Sequence, residues 1–179
     1  MFQILLAGGG EPARLFLSRM LWPLVRPAPV WRRPGRRLIF LPEGGPLPEG
    51  LARRGDTAIV SAESERQLFS LSESPAQAIV CGRSSKDTVT FSSVGEGRAS
   101  VSLLRRIRGW DGRPVEPMDL TVDFPPGSRE YLVLAAAAAA MDFCLPPEHL
   151  QKFSSYNPGG GAYNTSANAA DQESRKQGV

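Results

Sequence analysis

Two short stretches of this chain place glycine, serine and cationic side chains where an anion could be held. The first is Gly8-Gly9-Gly10, which follows the continuous apolar run from Phe2 to Ala7 and precedes Glu11 and Pro12. A strand that ends in glycines and turns into a helix presents backbone amides, so Gly8, Gly9 and Gly10 could bind an anion with Arg14 assisting. The competing reading is a tight turn that needs positive φ. The second stretch is Cys81-Gly82-Arg83-Ser84-Ser85-Lys86-Asp87-Thr88. Arg83 and Lys86 would attract an anion, and Ser84 and Ser85 would donate hydrogen bonds to it. Ligands of open α/β sheets sit beyond the carboxyl ends of the strands, so the two loops could flank one crevice. The ordinary alternative is a polar turn into a hairpin, with Asp87 pairing locally.

A third candidate is the basic run from Arg26 to Arg37, where Arg32, Arg33, Arg36 and Arg37 could hold phosphates and Trp31 could stack a base. The bland alternative is a proline-stiffened, solvated connector in a chain with 18 arginines and 3 lysines. The net charge of +3 is unevenly spread, with nine arginines against four acids up to Asp56. His149 is the only histidine, and a lone surface residue is its default reading against a catalytic or metal role. Two distant cysteines and one histidine supply no zinc set of recognised spacing. A serine nucleophile would have only His149 as its base, and no Gly-x-Ser-x-Gly elbow occurs. No catalytic residue, metal or cofactor is expected.

The elements that must position these groups follow from the hydrophobic pattern. Residues 2–7 read as a strand and residues 12–22 as a helix that Pro23 and Pro27 end. Residues 37–41 and 57–61 read as buried strands separated by a Pro/Gly-rich loop. A helix over residues 61–71 starts with serines and acids, and residues 77–82 form the next strand. Strand, helix and strand at this spacing imply a crossover and parallel neighbours. Beyond Gly82 the period becomes two: residues 87–94 and 99–104 form a hairpin around Gly95-Glu96-Gly97, and residues 118–124 alternate again. Six alanines, Ala135 to Ala140, then build a small-faced helix that lets a sheet approach closely. The expected fold is α/β: a mixed sheet with a parallel N-terminal part and antiparallel hairpin strands, closed by an Ala-rich helix.

One domain over residues 1–153 and a flexible low-complexity tail over 154–179 account for the chain. Cys81 and Cys144 lie in apolar surroundings and read as buried, reduced thiols. With no basic leader and no run near the roughly 18 apolar residues of a membrane span, the expectation is a cytoplasmic protein.

This order of elements, with Gly127-Ser128-Arg129-Glu130-Tyr131 leading into Leu134 and the alanines and then Leu145-Pro146-Pro147-Glu148, resembles the last part of the central ATPase domain of Mur ligases. The resemblance covers residues 56–151 and rests mostly on packing motifs. In that family a glycine-led segment with His and Asn precedes the Ala-rich helix; here Arg129-Glu130-Tyr131 replaces it. The family also needs a Gly-rich loop ending Gly-Lys-(Ser/Thr). Here Ala7-Gly8-Gly9-Gly10-Glu11-Pro12-Ala13-Arg14 has no lysine and no hydroxyl, and Glu11 has the wrong sign for a phosphate. Separate domains for a UDP sugar and an amino acid are also missing, so complete ligase chemistry is not expected. The resemblance implies a non-catalytic or degenerate domain that binds a nucleotide or other anion, or that has lost binding and works as a partner or scaffold. The alternatives are a regulatory or scaffold protein acting through protein contacts, and, ranked below these, a nucleic-acid binder.

Overall fold

In the computed structural model, the chain is described over residues 3–6, 36–41, 45 and 47–145. Seven strands form one sheet in the spatial order β1 (Gln3–Leu6), β2 (Arg37–Phe40), β3 (Thr57–Ser61), β4 (Gln77–Gly82), β5 (Val89–Val94), β6 (Arg98–Leu103) and β9 (Met118–Asp123). The first five are mutually parallel, β6 runs antiparallel to β5, and β9 runs antiparallel to β6 and so in the direction of the first five. A short ribbon, β7 (Ile107–Arg108) with β8 (Pro114–Val115), stands apart from the main sheet. The mixed α/β architecture read from the sequence is therefore the observed one. No helix among the described residues is long and apolar enough to cross a membrane.

The middles of strands β2 and β3, Leu38 to Phe40 and Ala58 to Val60, are apolar and buried because both faces of the sheet are covered there. Leu38, Phe40 and Ile59 point to one face, which the helix α2 (Glu130–Asp142) packs against. Ile39, Leu41, Ala58 and Val60 point to the other, where the helix α1 (Glu65–Ser72) contributes Leu71. In β5 and β6 the register shifts between Phe91 and Ser93, and the outer half of β5 is exposed. Exposure there runs through Ser92, Ser93 and Val94 in succession, so it follows the end of the strand and not the alternating wet face that the sequence suggests.

α1 begins at Glu65, four residues later than the pattern suggests, because Ser61 still belongs to β3, paired with Cys81. Ser64 is the true N-cap, its side chain accepting from the Gln67 amide. Gln67 is fully buried and ties α1 to two strand ends: its Oε1 accepts from the Ser61 amide at 2.9 Å and its Nε2 donates to the Leu41 carbonyl at 3.4 Å.

α2 is buried from Leu132 to Asp142, and alanine at six consecutive positions is what allows the sheet to come that close. The helix ends in a Schellman turn: the Cys144 amide donates to Met141 and the Leu145 amide to Ala140, with Cys144 at φ 54°. This corrects the expectation of two buried thiols. Cys81 is buried beneath the sheet, whereas Cys144 stands at the exposed stop of the helix.

Two buried carboxylates hold the start of the parallel strands, and neither was singled out by its sequence context. Asp56 accepts from Arg37 Nη2 at 2.6 Å, from Arg37 Nε at 3.1 Å and from the Arg53 amide at 2.9 Å. Burial pushes this carboxyl up, but Arg37 and the amides outweigh it and hold it below the ordinary aspartate range. On the opposite face Asp142 lies 3.6 Å from Arg36 Nη2 and accepts from Thr57 Oγ1 at 3.3 Å. There burial wins over Arg36 and Thr57, and the carboxyl is pushed up to about 6.

Candidate functional site

At the carboxyl ends of β3 and β4 the sheet opens into a hollow of about 180 Å³. Ser61 and Glu63 line it after β3, Cys81, Gly82 and Arg83 after β4, and Arg129, Glu130, Tyr131 and Leu134 from the first turns of α2. The sequence produces this arrangement simply. The parallel strands end together, and α2 returns antiparallel to them, so its positive N-terminal end meets the strand ends.

Tyr131 fixes the position of that helix end. Its ring stacks on Phe40 with centroids 5.7 Å apart, and its hydroxyl donates to the Leu41 carbonyl at 2.7 Å. The floor is set by Gly82. A Cβ there would meet Asp87 Oδ2 at 2.3 Å and the Ala62 Cβ at 2.5 Å, so only glycine lets the strand end pass between the two loops.

Across the mouth, Arg83 Nε donates to Glu130 Oε2 at 2.8 Å, and Arg83 Nη2 contacts the other carboxylate oxygen. Glu130, with Glu63 behind it, holds the guanidinium above the ordinary arginine range. Arg129 occupies the N-cap of α2 and gives the first turn no side-chain hydrogen bond. The Leu132 and Val133 amides turn back to the Arg129 carbonyl instead. The hollow thus carries two guanidiniums, two carboxylates and a helix N-terminus. Burial, with the Asp87 charge adding to it, pushes the Cys81 thiol up and keeps it protonated.

Of the residues predicted to bind an anion, Arg83 lines the hollow. Ser84, Ser85 and Lys86 are exposed on the adjoining turn and are not among its lining residues. That turn closes on itself: the Ser84 amide donates to Asp87 Oδ2 at 2.7 Å and the Asp87 amide to the Ser84 carbonyl. Gly8, Gly9, Gly10, Arg14, Trp31, Arg32, Arg33 and His149 lie outside the described residues. Arg36 and Arg37 are engaged internally, Arg37 with Asp56, and Arg36 with Thr57, Asp142 and the carbonyls of Arg108 and Gly109. Sequence reasoning missed Ser61, Glu63, Arg129, Glu130 and Tyr131. The signal that could have found them is the segment Gly127 to Tyr131, which had to enter the Ala-rich helix at the strand ends. Among the described residues no three His, Cys, Asp or Glu side chains gather as a metal site.

With this geometry in view, comparison with solved structures identifies the architecture. The structure of UDP-N-acetylmuramoylalanyl-D-glutamyl-2,6-diaminopimelate–D-alanyl-D-alanyl ligase from Acinetobacter baumannii superposes with a TM-score of 0.50 at 11% identity, over 85% of this chain. The fold is Mur-ligase-like. A crystal structure of MurF from the same organism gives a TM-score of 0.49 at 12% identity, again over 85% of this chain. The chain spans 45% of the length of each of these proteins. No protein-family model matches the sequence, and no curated protein does.

Proposed function

We propose that this Mur-ligase-like domain binds a small phosphate-bearing anion, a nucleotide by class, in the hollow at the ends of β3 and β4, without forming amide bonds itself. The observation that carries this reading is the meeting of Arg83, Arg129 and the N-terminal end of α2 at the carboxyl edge of a parallel sheet. A phosphate there would accept from helix amides and draw Arg83 away from Glu130. The nucleotide class comes from the resemblance to an ATPase domain. The non-catalytic part is supported by residues 7–14, where the lysine and hydroxyl of a phosphate-transfer loop are replaced.

The test is thermal unfolding with ATP, ADP or pyrophosphate. A ligand at ten times its Kd should raise Tm by about 3 to 5 °C, and Arg83→Glu should remove the effect. The absence of any shift with all three compounds would dismiss the reading.

A further inference from the structure

We propose that Gln67 is the positioning residue of the hollow: its side-chain amide takes the place of one ladder hydrogen bond between β2 and β3, and so sets the strand ends that hold Ser61 and Tyr131 on the hollow's wall. Its effect on binding rests on the phosphate reading proposed above. Its effect on the strand ends does not.

Parallel strands pair through evenly spaced bonds, in which a residue donates to the partner strand and accepts from a residue two places further along it. Between β2 and β3 this ladder runs from Leu38 opposite Thr57 to Phe40 opposite Ile59, and the Leu41 amide adds a bond to the Ile59 carbonyl at 3.2 Å. The next bond of the series would join the Ser61 amide to the Leu41 carbonyl. Instead, the Ser61 amide donates to Gln67 Oε1 at 2.9 Å, and Gln67 Nε2 donates to the Leu41 carbonyl at 3.4 Å. A side-chain amide from α1 therefore stands between the two main chains. Gln67 is 0% exposed, and glutamine supplies the donor and the acceptor that these two buried groups need without bringing in a charge.

The Leu41 carbonyl is also reached from the other side of the sheet. Tyr131, in the first turn of α2, donates its hydroxyl to it at 2.7 Å, and the same hydroxyl lies 3.3 Å from the Ile59 carbonyl. Gln67 and Tyr131 thus meet from opposite faces at one gap between strand ends. Ser61 carries the constraint onward, since its Oγ accepts from the Glu63 amide at 3.2 Å. Ser61, Glu63 and Tyr131 all line the hollow, whereas Gln67 is not among its lining residues. An apolar side chain at position 67 would leave the Ser61 amide and the Leu41 carbonyl unsatisfied. Their remedy is to bond each other, which draws the strand ends together in competition with Tyr131.

The experiment compares the full chain with Gln67→Leu and Gln67→Glu, first without ligand and then with pyrophosphate. Without ligand, the amide chemical shifts of Gln67→Leu should move at Ser61, Glu63 and Arg129 to Tyr131, and changes confined to α1 would overturn the proposal. In calorimetric titration Gln67→Leu should bind pyrophosphate about tenfold more weakly than the parent, with circular dichroism checking that it folds. Gln67→Glu separates positioning from packing. It keeps the shape and, when protonated, both hydrogen bonds, while its ionised form faces the Leu41 carbonyl with no proton to give. Its affinity relative to the parent at the same pH should approach one near about pH 5 and fall about tenfold by about pH 8. A relative affinity that does not change with pH, or a folded Gln67→Leu that binds as the parent does, would overturn the proposal. A parent that binds no pyrophosphate would remove the phosphate reading alone, and the ligand-free shifts would then decide the role of Gln67.

Discussion

Arg83 and Glu130 close an ion pair between the end of β4 and the first turn of α2, directly across the mouth of the hollow. The pair is exposed, so it adds little to stability. Its consequence is for binding: Glu130 competes with any anion for Arg83. Glu130→Gln should therefore tighten phosphate or nucleotide binding by about three- to tenfold at low salt, read by calorimetric titration. An unchanged or weaker affinity would mean that Arg83 does not face the ligand.

The Arg37–Asp56 pair is of a different kind, since Asp56 is fully buried and its oxygens take four donations from Arg37 and Arg53. Removing one partner strands the other in the interior. Asp56→Ala should cost about 3 to 5 kcal/mol in urea denaturation. Because the folded pKa lies below the unfolded value, this stabilisation is complete above the ordinary aspartate pKa of 3.8 and is lost as pH falls through the folded pKa.

Asp142 has the opposite sign. Its folded pKa, about 6, lies above the unfolded 3.8, so the folded state binds the extra proton between those values and stability from this group falls as pH rises across them. Asp142→Asn should flatten that part of the Tm–pH profile. The stability difference between the two proteins should change by about 2 to 3 kcal/mol from about pH 4 to above pH 6.

At the stop of α2, a side chain with a Cβ is forced into left-handed backbone at Cys144, where φ is 54°. Glycine is at home there, and the thiol is exposed. Cys144→Gly should stabilise by about 0.5 to 1 kcal/mol, after allowing for the extra freedom glycine has when unfolded. The reverse holds at Gly82, where the missing Cβ is required: Gly82→Ala should destabilise by about 1 to 3 kcal/mol.

The large elements were legible because each advertises its period. β3, α1 and β4 alternate as parallel units do, β5 and β6 alternate at period two, and the alanines of α2 admit one reading. Asp56, Gln67 and Asp142 were not legible, because a buried polar residue looks in sequence like a surface one until its partners, up to 106 residues away in this chain, are brought to it. The β7–β8 ribbon was missed because two residues per strand are too few to establish a period. In the hollow, Arg83 was found from its place after a strand. Glu130 and Tyr131 were noticed only as the lead-in to a packing helix, since nothing local reveals which strand ends a helix N-terminus will face.

The central claim is that the hollow receives a phosphate-bearing ligand, and amide chemical-shift mapping during titration with ATP tests it most directly. Saturable shifts concentrated at Ser61 to Glu63, Gly82, Arg83 and Arg129 to Tyr131 are expected. Shifts confined to other parts of the sheet, or none at millimolar nucleotide, would contradict it.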